Sequence, residues 1–364
     1  MEKYNVLGIM SGTSLDGLDL AFCRFEKEDG KWKYIVEAAD VFEYTEEWKK
    51  RLEGLFHASA LELAQTDADF AKFTAICVHD FIKKYQVSPI LISSHGHTIF
   101  HQPENGFTTQ IGSGAIISAH TGLPVVSDLR SVDVALGGQG APLVPIGDAL
   151  LFGGYEYCLN LGGIANISYD NRAGNRMAGD ICPINLVLNL LAQKKGLKYD
   201  EGGAIGKSGQ RNDILLHDLK NFEFYQKPFP KSLGREWVES HFLKKLFSYK
   251  LPLEDLVATC CHHFAEMIFE TVKAGGGNGR EKMLVTGGGA FNSFLIDLIR
   301  EKCQDSVEVV VPDKLTVAYK EAVIFAFLGL LRAMNLNNCL SSVTGAFTDS
   351  IGGALYGKSI SFGD

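Results

Sequence analysis

The sequence lacks the features of a membrane, exported or nucleic-acid-binding protein. No apolar stretch reaches about 18 residues without a charge or a turn residue, so no membrane-spanning helix is predicted. The N-terminal segment MEKYNVLGIM does not have the charged and then apolar layout of a signal peptide. The formal net charge is -8, and no run of lysines and arginines is long enough to follow a nucleic-acid backbone. We therefore expect a cytoplasmic protein without nucleic acid or membrane partners.

Cysteine pairs and the commonest nucleotide-binding motifs are also missing. The eight cysteines include no CxxC pair, which argues against structural zinc and suits a reducing compartment. The N-terminal segment has neither the GxxxxGK[ST] loop of P-loop proteins nor the GxGxxG turn of dinucleotide-binding folds. A phosphate-binding loop in this segment must therefore belong to another class.

The chain is long and apolar enough to form two folded domains. Its 364 residues exceed the roughly 250 to 300 at which single cores stop growing. With 46% hydrophobic and 21% charged residues, the composition is that of a globular protein. Glycine and proline accumulate after Ser131 in VDVALGGQGAPLVP, which indicates a crossing between domains. We predict a first domain of residues 1–130 plus 340–364 and a second domain of residues 131–339.

Residues 12–19, GTSLDGLD, lie in a turn between two predicted strands, VLGIM and LAFCRFE. The small residues would let backbone N–H groups approach phosphate oxygens, and the two aspartates suit a hydrated magnesium ion. A plain hairpin turn uses the same residue types. This segment alone therefore leaves both interpretations open.

Two further glycine turns follow apolar strands. LNLGGIAN at 159–166 repeats the hairpin layout of the N-terminus, and TGGGAFN at 286–292 lies between the strand MLV and a helix. The second of these suits a purine or a phosphate at a helix N-terminus, and an ordinary turn at the start of a helix is the alternative. Together the three turns indicate a nucleotide held between two phosphate-binding hairpins.

Polar side chains near these turns are candidates for a substrate site. His95, His97 and His101 lie in SSHGHTIFH, without the spaced carboxylates or cysteines that would complete a metal site. Substrate contacts are therefore favoured over metal binding. Asp128 and Arg130 follow a predicted strand, where a ligand contact and a structural ion pair both remain open.

Asp180 is the candidate for a catalytic carboxylate. It lies at the predicted start of a helix whose first turn contains Pro183. Its alternatives are a helix cap and a general base that takes a proton during phosphoryl transfer. The segment 229–236, FPKSLGRE, is predicted to be a solvated surface loop, and His262 and His263 are predicted to have packing or surface roles.

The order of these segments resembles that of the anhydro-N-acetylmuramic acid kinases. This family is a branch of the superfamily of acetate and sugar kinases, heat-shock chaperone ATPases and actin. The resemblance extends over nearly the whole chain. It is carried, in chain order, by GTSLDGLD, SSHGHTIFH, TQIGSGA, VVSDLRSVDVALGGQGAPLVP, LNLGGIANIS, PFPKSLGRE, VTGGGAFN and KEAVIFAF. Agreement of so many segments is far more specific than a single glycine turn.

The resemblance implies an α/β, two-domain actin-like ATPase fold of ribonuclease H-like topology, with an interdomain cleft for nucleotide and substrate. It implies ATP and Mg2+ as cofactors and an amino sugar as the small-molecule substrate. In such kinases water opens the anhydro bridge while the oxygen on the sixth carbon accepts the γ-phosphoryl group. The product is N-acetylmuramic acid 6-phosphate, an intermediate of cell-wall recycling. Family members are commonly homodimers, although the residues themselves indicate no oligomeric state.

The resemblance also assigns roles to individual residues. Asp180 matches the general base, and Asp16 and Asp19 match the positions that would hold the metal. The residues matched to cofactor binding are Gly12, Thr13, Ser14, Asp16, Gly17, Asp19, Gly162, Gly163, Gly287, Gly288, Gly289 and Asn292. The residues matched to the sugar side are Ser11, His97, Arg130 and Glu321.

The chain departs from the family pattern at three places. Asp180 is followed by ICPIN where the family commonly has Thr-Gly-Pro-Gly-Asn, and these bulkier groups are expected to narrow the space beside the base. His97 stands where glutamine is usual, and TVAYK before Glu321 lacks the usual glycine and Asp-Pro-Asp. Two alternatives therefore stay open, a kinase of the same fold acting on another amino sugar and a non-kinase ATP-binding switch.

Overall fold

The computed structural model describes residues 2–12, 15–277 and 279–360. They form two compact units, Met1–Leu151 with Tyr319–Asp364, and Phe152–Ala318. This division differs from the predicted boundaries, because residues 131–151 and 319–339 belong to the first unit. The chain returns to the first unit between Ala318 and Tyr319, inside a helix rather than at a glycine-rich turn.

Both units contain strands and helices. The strands are β1 (Glu2–Ser11), β2 (Gly17–Glu28), β3 (Lys31–Glu43), β4 (Leu91–Ser94), β5 (His97–Gln102), β6 (Phe107–Ile111), β7 (Val125–Ser127), β8 (Tyr157–Leu161), β9 (Ile164–Asp170), β10 (Arg176–Pro183), β11 (Lys282–Thr286), β12 (Glu308–Val310) and β13 (Ala354–Tyr356). The helices are α1 (Glu46–Gly54), α2 (Ala60–Tyr85), α3 (Gly114–Thr121), α4 (Ser131–Ala135), α5 (Val144–Leu151), α6 (Asn185–Gln193), α7 (Ala204–Ser208), α8 (Asp213–Lys220), α9 (Glu223–Gln226), α10 (Arg235–Trp237), α11 (Lys244–Phe247), α12 (Leu253–Gly275), α13 (Ser293–Cys303), α14 (Lys314–Ala333) and α15 (Ser341–Thr344).

The two units repeat one strand order. In the first unit the sheet order is β13-β7-β4-β1-β2-β3, and in the second it is β10-β9-β8-β11-β12. In each sheet the first three strands in sequence pair antiparallel, and the next two add in parallel beside the first. This order is that of ribonuclease H-like folds, so the predicted actin-like fold class is confirmed.

From Tyr319 onward, helix α14 belongs to the first unit, where it packs closely on strand β1. A Cβ at Gly8 would overlap the carbonyl oxygen of Ala322 and lie 2.8 Å from Cβ of Ala326. On the neighbouring strand β4, Ser93 Oγ donates a 2.5 Å hydrogen bond to the carbonyl oxygen of Phe325. Only glycine at position 8 allows the helix backbone to approach the sheet this closely.

Substituting Gly8→Ala should therefore destabilise the first unit. The added methyl must push α14 from the sheet, and overpacking of this kind costs about 1–3 kcal/mol. The free energy of unfolding, measured by denaturant titration, should fall by about that amount. Gly54→Ala is the matched control, since Gly54 lies in α1 with no atom within 4 Å of the added Cβ. If the two variants had the same free energy of unfolding, the close packing of α14 on Gly8 would be contradicted.

The glycine-rich segment after Ser131 is a turn anchored within the first unit rather than a domain crossing. The Asp133 carboxylate accepts hydrogen bonds from the Gly140 amide at 2.8 Å and from the Thr344 hydroxyl at 2.7 Å. The Cys339 thiol also points to this carboxylate, at 3.2 Å. These bonds tie the segment to the C-terminal part of the same unit. The domain boundary that glycine and proline content predicted here is therefore wrong.

The core of the second unit lies between its sheet and the long helix α12. Apolar residues recur along α12 at helical spacing, and Val257, Phe264 and Ile268 are fully buried. His263 is also buried there, where Nε2 lies 2.9 Å from the Tyr225 hydroxyl. Its position confirms the predicted packing role for this histidine. His262 is half-buried on the same helix.

All eight cysteines are buried thiols. Within the described residues, no helix combines the length and the apolar character that crossing a membrane requires.

Candidate functional site

The first glycine loop connects β1 to β2, and part of it can be described. Thr13 and Ser14 lie outside the described residues. Leu15 has a positive φ of 56°, and its N–H bonds the carbonyl oxygen of Gly12 at 3.3 Å. A Cβ at Gly17 would lie 2.6 Å from the carbonyl oxygen of Phe42, so the loop returns close to β3. The predicted strand, turn and strand are confirmed here.

Three carboxylates of the first unit act on one another beside this loop. Burial, together with the negative charges of Glu321 and Asp16, raises the pKa of Asp19 to about 7. A cation placed here would relieve that repulsion. The described residues contain no group of three or more His, Cys, Asp or Glu side chains arranged to hold a metal by themselves. One or two carboxylates that share the ion with substrate phosphates and water suit Mg2+, so the donor set fits that metal.

Ser11 and His97, both predicted on the sugar side, are in contact. Ser11 Oγ lies 2.8 Å from His97 Nδ1 and 2.6 Å from the Tyr44 hydroxyl. Both predicted residues are buried, and burial lowers the pKa of His97 to about 4. His97 is therefore a neutral imidazole at physiological pH, and a neutral ring suits hydrogen bonding to sugar hydroxyls.

Arg130 is fixed by His95 rather than by Asp128. Its Nε and Nη2 lie 3.0 and 2.9 Å from His95 Nε2, and Nη1 donates to the carbonyl oxygen of Gly140 at 2.5 Å. Because guanidinium only donates, His95 Nε2 must accept, and its Nδ1–H faces the carbonyl oxygen of Gly96 at 2.9 Å. Asp128 instead accepts from the Ser131 hydroxyl at 2.5 Å. The structural Asp128–Arg130 pair is thus not formed.

Burial lowers the pKa of Arg130 to about 10, and the nearby charge of Glu321 opposes that shift. Arg130 and Glu321 therefore lie near one another, as their shared sugar-side assignment requires. His101 is exposed, and its Nδ1 lies 3.2 Å from the Thr108 hydroxyl.

A cavity of about 300 Å³ in the first unit adjoins His95. Asp67 from α2 lines it and accepts hydrogen bonds from the amides of Gly112 and Ser113, at 2.6 and 2.9 Å. Sequence reasoning missed Asp67, although the TQIGSGA motif that it holds was singled out. The carboxylate lies 45 residues before its partners, so only the fold brings them together.

Asp180 lies in strand β10 and not at a helix start, so its predicted position is wrong. It pairs with Asn166 of β9, and the register shifts between Asp180 and Cys182. The N-cap of the next helix is Ile184, which excludes the capping role. The bulge interrupts the alternation of residues along the strand, and Pro183 follows it. In the sequence this pattern resembles a loop that leads into a helix.

The environment of Asp180 suits a proton acceptor. Its side chain is half-buried, and burial raises its pKa to about 6, while hydrogen bonds from the Leu233 amide and the Ser232 hydroxyl oppose that rise. The Leu233 N–H lies 2.7 Å from Oδ2. The segment 229–236 is therefore in part a buried contact of Asp180 and not simply the solvated loop that was predicted.

The second glycine hairpin, between β8 and β9, is joined to the start of α6. The carbonyl oxygen of Gly163 accepts from the amide of Ile184 at 2.9 Å, and that of Gly162 accepts from the amide of Asn185 at 3.2 Å. The Asn185 side chain also donates to the carbonyl oxygen of Leu161 at 2.9 Å. The hairpin predicted to hold phosphate is thus fixed against a helix N-terminus.

A second cavity, of about 480 Å³, lies in the second unit against the third glycine turn. Gly288, Gly289 and Asn292 line it, and the Asn292 side chain caps α13 by accepting from the Leu295 amide at 3.0 Å. The turn is therefore both a helix start and a cavity wall. Phe291 is half-exposed at this cavity and offers a flat apolar surface suited to a purine.

Asp200 is a further cavity residue that sequence reasoning missed. Its carboxylate is buried and accepts from the amides of Ile205 and Gly206, at 2.8 and 3.2 Å. These bonds shape the wall opposite the glycine turn. Tyr199, beside it, is half-exposed and also lines the cavity.

A family model for anhydro-N-acetylmuramic acid kinase matches residues 4–358 of the chain. The chain belongs to the anhydro-N-acetylmuramic acid kinase family. A relative of that name from Haemophilus influenzae is 33% identical over 98% of this chain and 99% of its own length. Another of that name, from Rhodococcus erythropolis, is 35% identical over 96% of this chain and 93% of its own length.

Among solved structures, the activator of 2-hydroxyisocaproyl-CoA dehydratase from Clostridium difficile, with bound ADPNP, aligns at a TM-score of 0.43 and 14% identity. The alignment covers 89% of this chain and 94% of that one. A ROK hexokinase from Thermus thermophilus aligns at a TM-score of 0.37 and 13% identity, over 90% of this chain and 99% of that one.

The residues that depart from the kinase family pattern after Asp180 point into the core. Ile181, Cys182 and Ile184 are each at most 2% exposed and belong to the hydrophobic cluster of the second unit. These larger side chains therefore fill space in the hydrophobic core. The expected narrowing beside the carboxylate does not follow from these three side chains.

Proposed function

We propose that this chain is an ATP-dependent kinase that converts 1,6-anhydro-N-acetylmuramic acid into N-acetylmuramic acid 6-phosphate. The proposal is carried by the family match over residues 4–358 together with Asp180, a half-buried carboxylate whose pKa is raised to about 6. A carboxylate with this pKa is ionised at neutral pH and still able to accept a proton, as a general base must be.

The reaction is a hydrolysis joined to a phosphoryl transfer. Water forms a bond to C1 of the sugar while the bond between C1 and O6 breaks, and O6 forms a bond to the γ-phosphorus as ADP leaves. Asp180 takes the proton that the water loses. Since phosphoryl transfer depends on positioning and charge stabilisation, the remaining residues bind and orient.

In this mechanism the first unit binds the sugar and the metal. Asp16 and Asp19 would hold Mg2+, which neutralises charge on the phosphates when it is bound. Ser11 and the neutral His97 contact sugar hydroxyls. The proposed sugar-side residues also include Arg130, oriented by His95, and Glu321.

The glycine turns bind the nucleotide. Backbone amides of the first loop and of the hairpin at Gly162 and Gly163 contact phosphate oxygens, and the loop residues are Gly12, Thr13, Ser14 and Gly17. The cavity beside the turn Gly287, Gly288, Gly289 and Asn292 receives the adenosine. Cytoplasmic ATP would supply the donor, and eight buried thiols without a CxxC pair suit that reducing compartment. The homodimer stays a prediction.

The test is phosphorylation of the anhydro sugar by the purified protein with ATP and Mg2+. We expect one ADP and one sugar 6-phosphate per turnover, measured by coupled ADP release and mass spectrometry, and no turnover after chelation of the metal. Parallel reactions use amino sugars without the anhydro bridge. Phosphorylation of those sugars alone would favour the other acceptor, and ATP hydrolysis without any sugar phosphate would favour the switch.

A further inference from the structure

Three buried side chains of the first unit, Tyr44, Ser11 and His97, form one chain of hydrogen bonds. Ser11 Oγ lies 2.6 Å from the Tyr44 hydroxyl and 2.8 Å from His97 Nδ1. Within the part of the protein that the structure describes, the hydroxyl groups of Tyr44 and Ser11 form no other hydrogen bond. The hydrogens of both hydroxyl groups must therefore find their acceptors inside this chain.

The two hydroxyl hydrogens can both be paired in one arrangement only. Each hydroxyl has a single hydrogen to donate. If Tyr44 donates to Ser11 and Ser11 donates to His97 Nδ1, both hydrogens have an acceptor. Every other arrangement, including the reverse one in which His97 Nδ1–H donates to Ser11, leaves a buried hydroxyl hydrogen without an acceptor. A buried donor without a partner destabilises by more than a neutral hydrogen bond stabilises, so the first arrangement is favoured.

This arrangement decides which nitrogen of His97 carries the hydrogen. Because Nδ1 accepts, the neutral ring is protonated on Nε2. Among the described residues Nε2 has no hydrogen-bond partner, and it is not closed off from solvent. His95 has the opposite tautomer, since its Nδ1–H faces the carbonyl oxygen of Gly96 at 2.9 Å and its Nε2 accepts from Arg130. The two neighbouring histidines therefore present different groups.

We infer that Ser11 is a positioning residue that fixes the tautomer of His97, so that Nε2–H donates a hydrogen bond to an oxygen of the sugar. The identity of that ligand rests on the proposed function. Without the Ser11 hydroxyl both tautomers are open to the ring, and only the one protonated on Nε2 can donate. The fraction of protein competent to bind the sugar then falls, and the apparent affinity falls with it.

The direct test is nitrogen NMR of the full chain with labelled histidines and without substrate, because protonated and unprotonated ring nitrogens differ in chemical shift. Wild-type His97 should be protonated on Nε2 and His95 on Nδ1. Their signals are assigned by their loss in His97→Gln and in His95→Gln. In Ser11→Ala, His97 should show both tautomers, while unchanged His95 signals report that the fold is intact.

Two control variants separate the tautomer from general damage. Ser118→Ala removes another buried serine hydroxyl of the first unit, which donates to the carbonyl oxygen of Leu123 at 2.8 Å. This variant should leave the His97 signals unchanged. Tyr44→Phe removes the far end of the chain but leaves Ser11 to donate to His97, so the form protonated on Nε2 should persist.

The kinetic consequence is a higher KM for the sugar. In Ser11→Ala this KM should rise about two- to tenfold, the effect of losing one neutral hydrogen bond, and the KM for ATP should not change. His97→Gln keeps an N–H donor, whereas His97→Met has a side chain of similar length without one. The glutamine variant should therefore have the lower KM for the sugar.

The NMR and kinetic outcomes separate this inference from the proposed function. Protonation of wild-type His97 on Nδ1, or a single Nε2–H form in Ser11→Ala, would overturn the inference. Loss of that form in Tyr44→Phe would assign the control to Tyr44 and overturn the role of Ser11. If the His97 signals are as expected but no amino sugar is phosphorylated, the proposed function is overturned and the tautomer assignment stands.

Discussion

Asp180→Asn should lower kcat for the anhydro sugar by about 10² to 10⁴-fold, the usual contribution of a general base. The amide has nearly the same shape and still accepts the Leu233 hydrogen bond, but it cannot take a proton from water. Because the substitution removes charge without adding volume, binding of ATP should be almost unchanged. The two measurements are steady-state turnover and ATP affinity by calorimetry.

Asp218→Asn is the matched control for this variant. Asp218 also lies in the second unit, and its carboxylate accepts from the Tyr249 hydroxyl at 2.9 Å and from Lys245 at 3.1 Å. Neither Asp180 nor the lining of either cavity described above is among its contacts. Turnover should therefore stay near that of the wild type. If Asp180→Asn turned over as fast as Asp218→Asn, Asp180 would not be the base.

Lys320→Met should lower the free energy of unfolding by about 3–5 kcal/mol, because it leaves a buried charge without its partner. Lys320 Nζ lies 2.7 Å from Asp148 Oδ1, and the two side chains are only 5% and 4% exposed. The pair joins α14 to α5 inside the first unit. Denaturant unfolding followed by circular dichroism would measure the loss.

The double variant Asp148→Leu with Lys320→Met removes both charges together. It should be more stable than Lys320→Met alone, because no uncompensated charge remains in the core. Lys33→Met is the surface control: its pair with Glu28 is exposed and should contribute nothing measurable. A Lys320→Met protein as stable as Lys33→Met would contradict the importance of the buried pair.

The sequence predicted those features that depend on local pattern. The hairpin of β1 and β2 and the hairpin of β8 and β9 were both found, since apolar runs on either side of glycine define them. Helices α2 and α12 are long and periodic, a pattern that predicts a helix from sequence alone. The repeated hairpin is part of the repeated strand order that both sheets show, and the rest of that order was not predicted.

The features that were missed depend on contacts between distant segments. Strand β10 carries a bulge that breaks its alternation, so Asp180 was assigned to a helix start. The Leu233 amide reaches Asp180 from 53 residues away, and no spacing rule connects the two. The predicted domain boundary was wrong for a similar reason. Glycine content marks a turn, but it does not tell whether that turn is exposed or is anchored by a buried carboxylate such as Asp133.

The reactivity of the buried cysteines can report where the protein unfolds. Burial raises the pKa of thiols such as Cys23 and Cys303, and only a thiolate reacts quickly with an alkylating reagent. A cysteine in the folded protein should therefore be alkylated only after the structure around it opens. Because Cys77 and Cys339 lie in the first unit and Cys303 in the second, the masses of modified peptides identify which unit opens first. The stability of each unit can then be followed in one sample, without introducing a label.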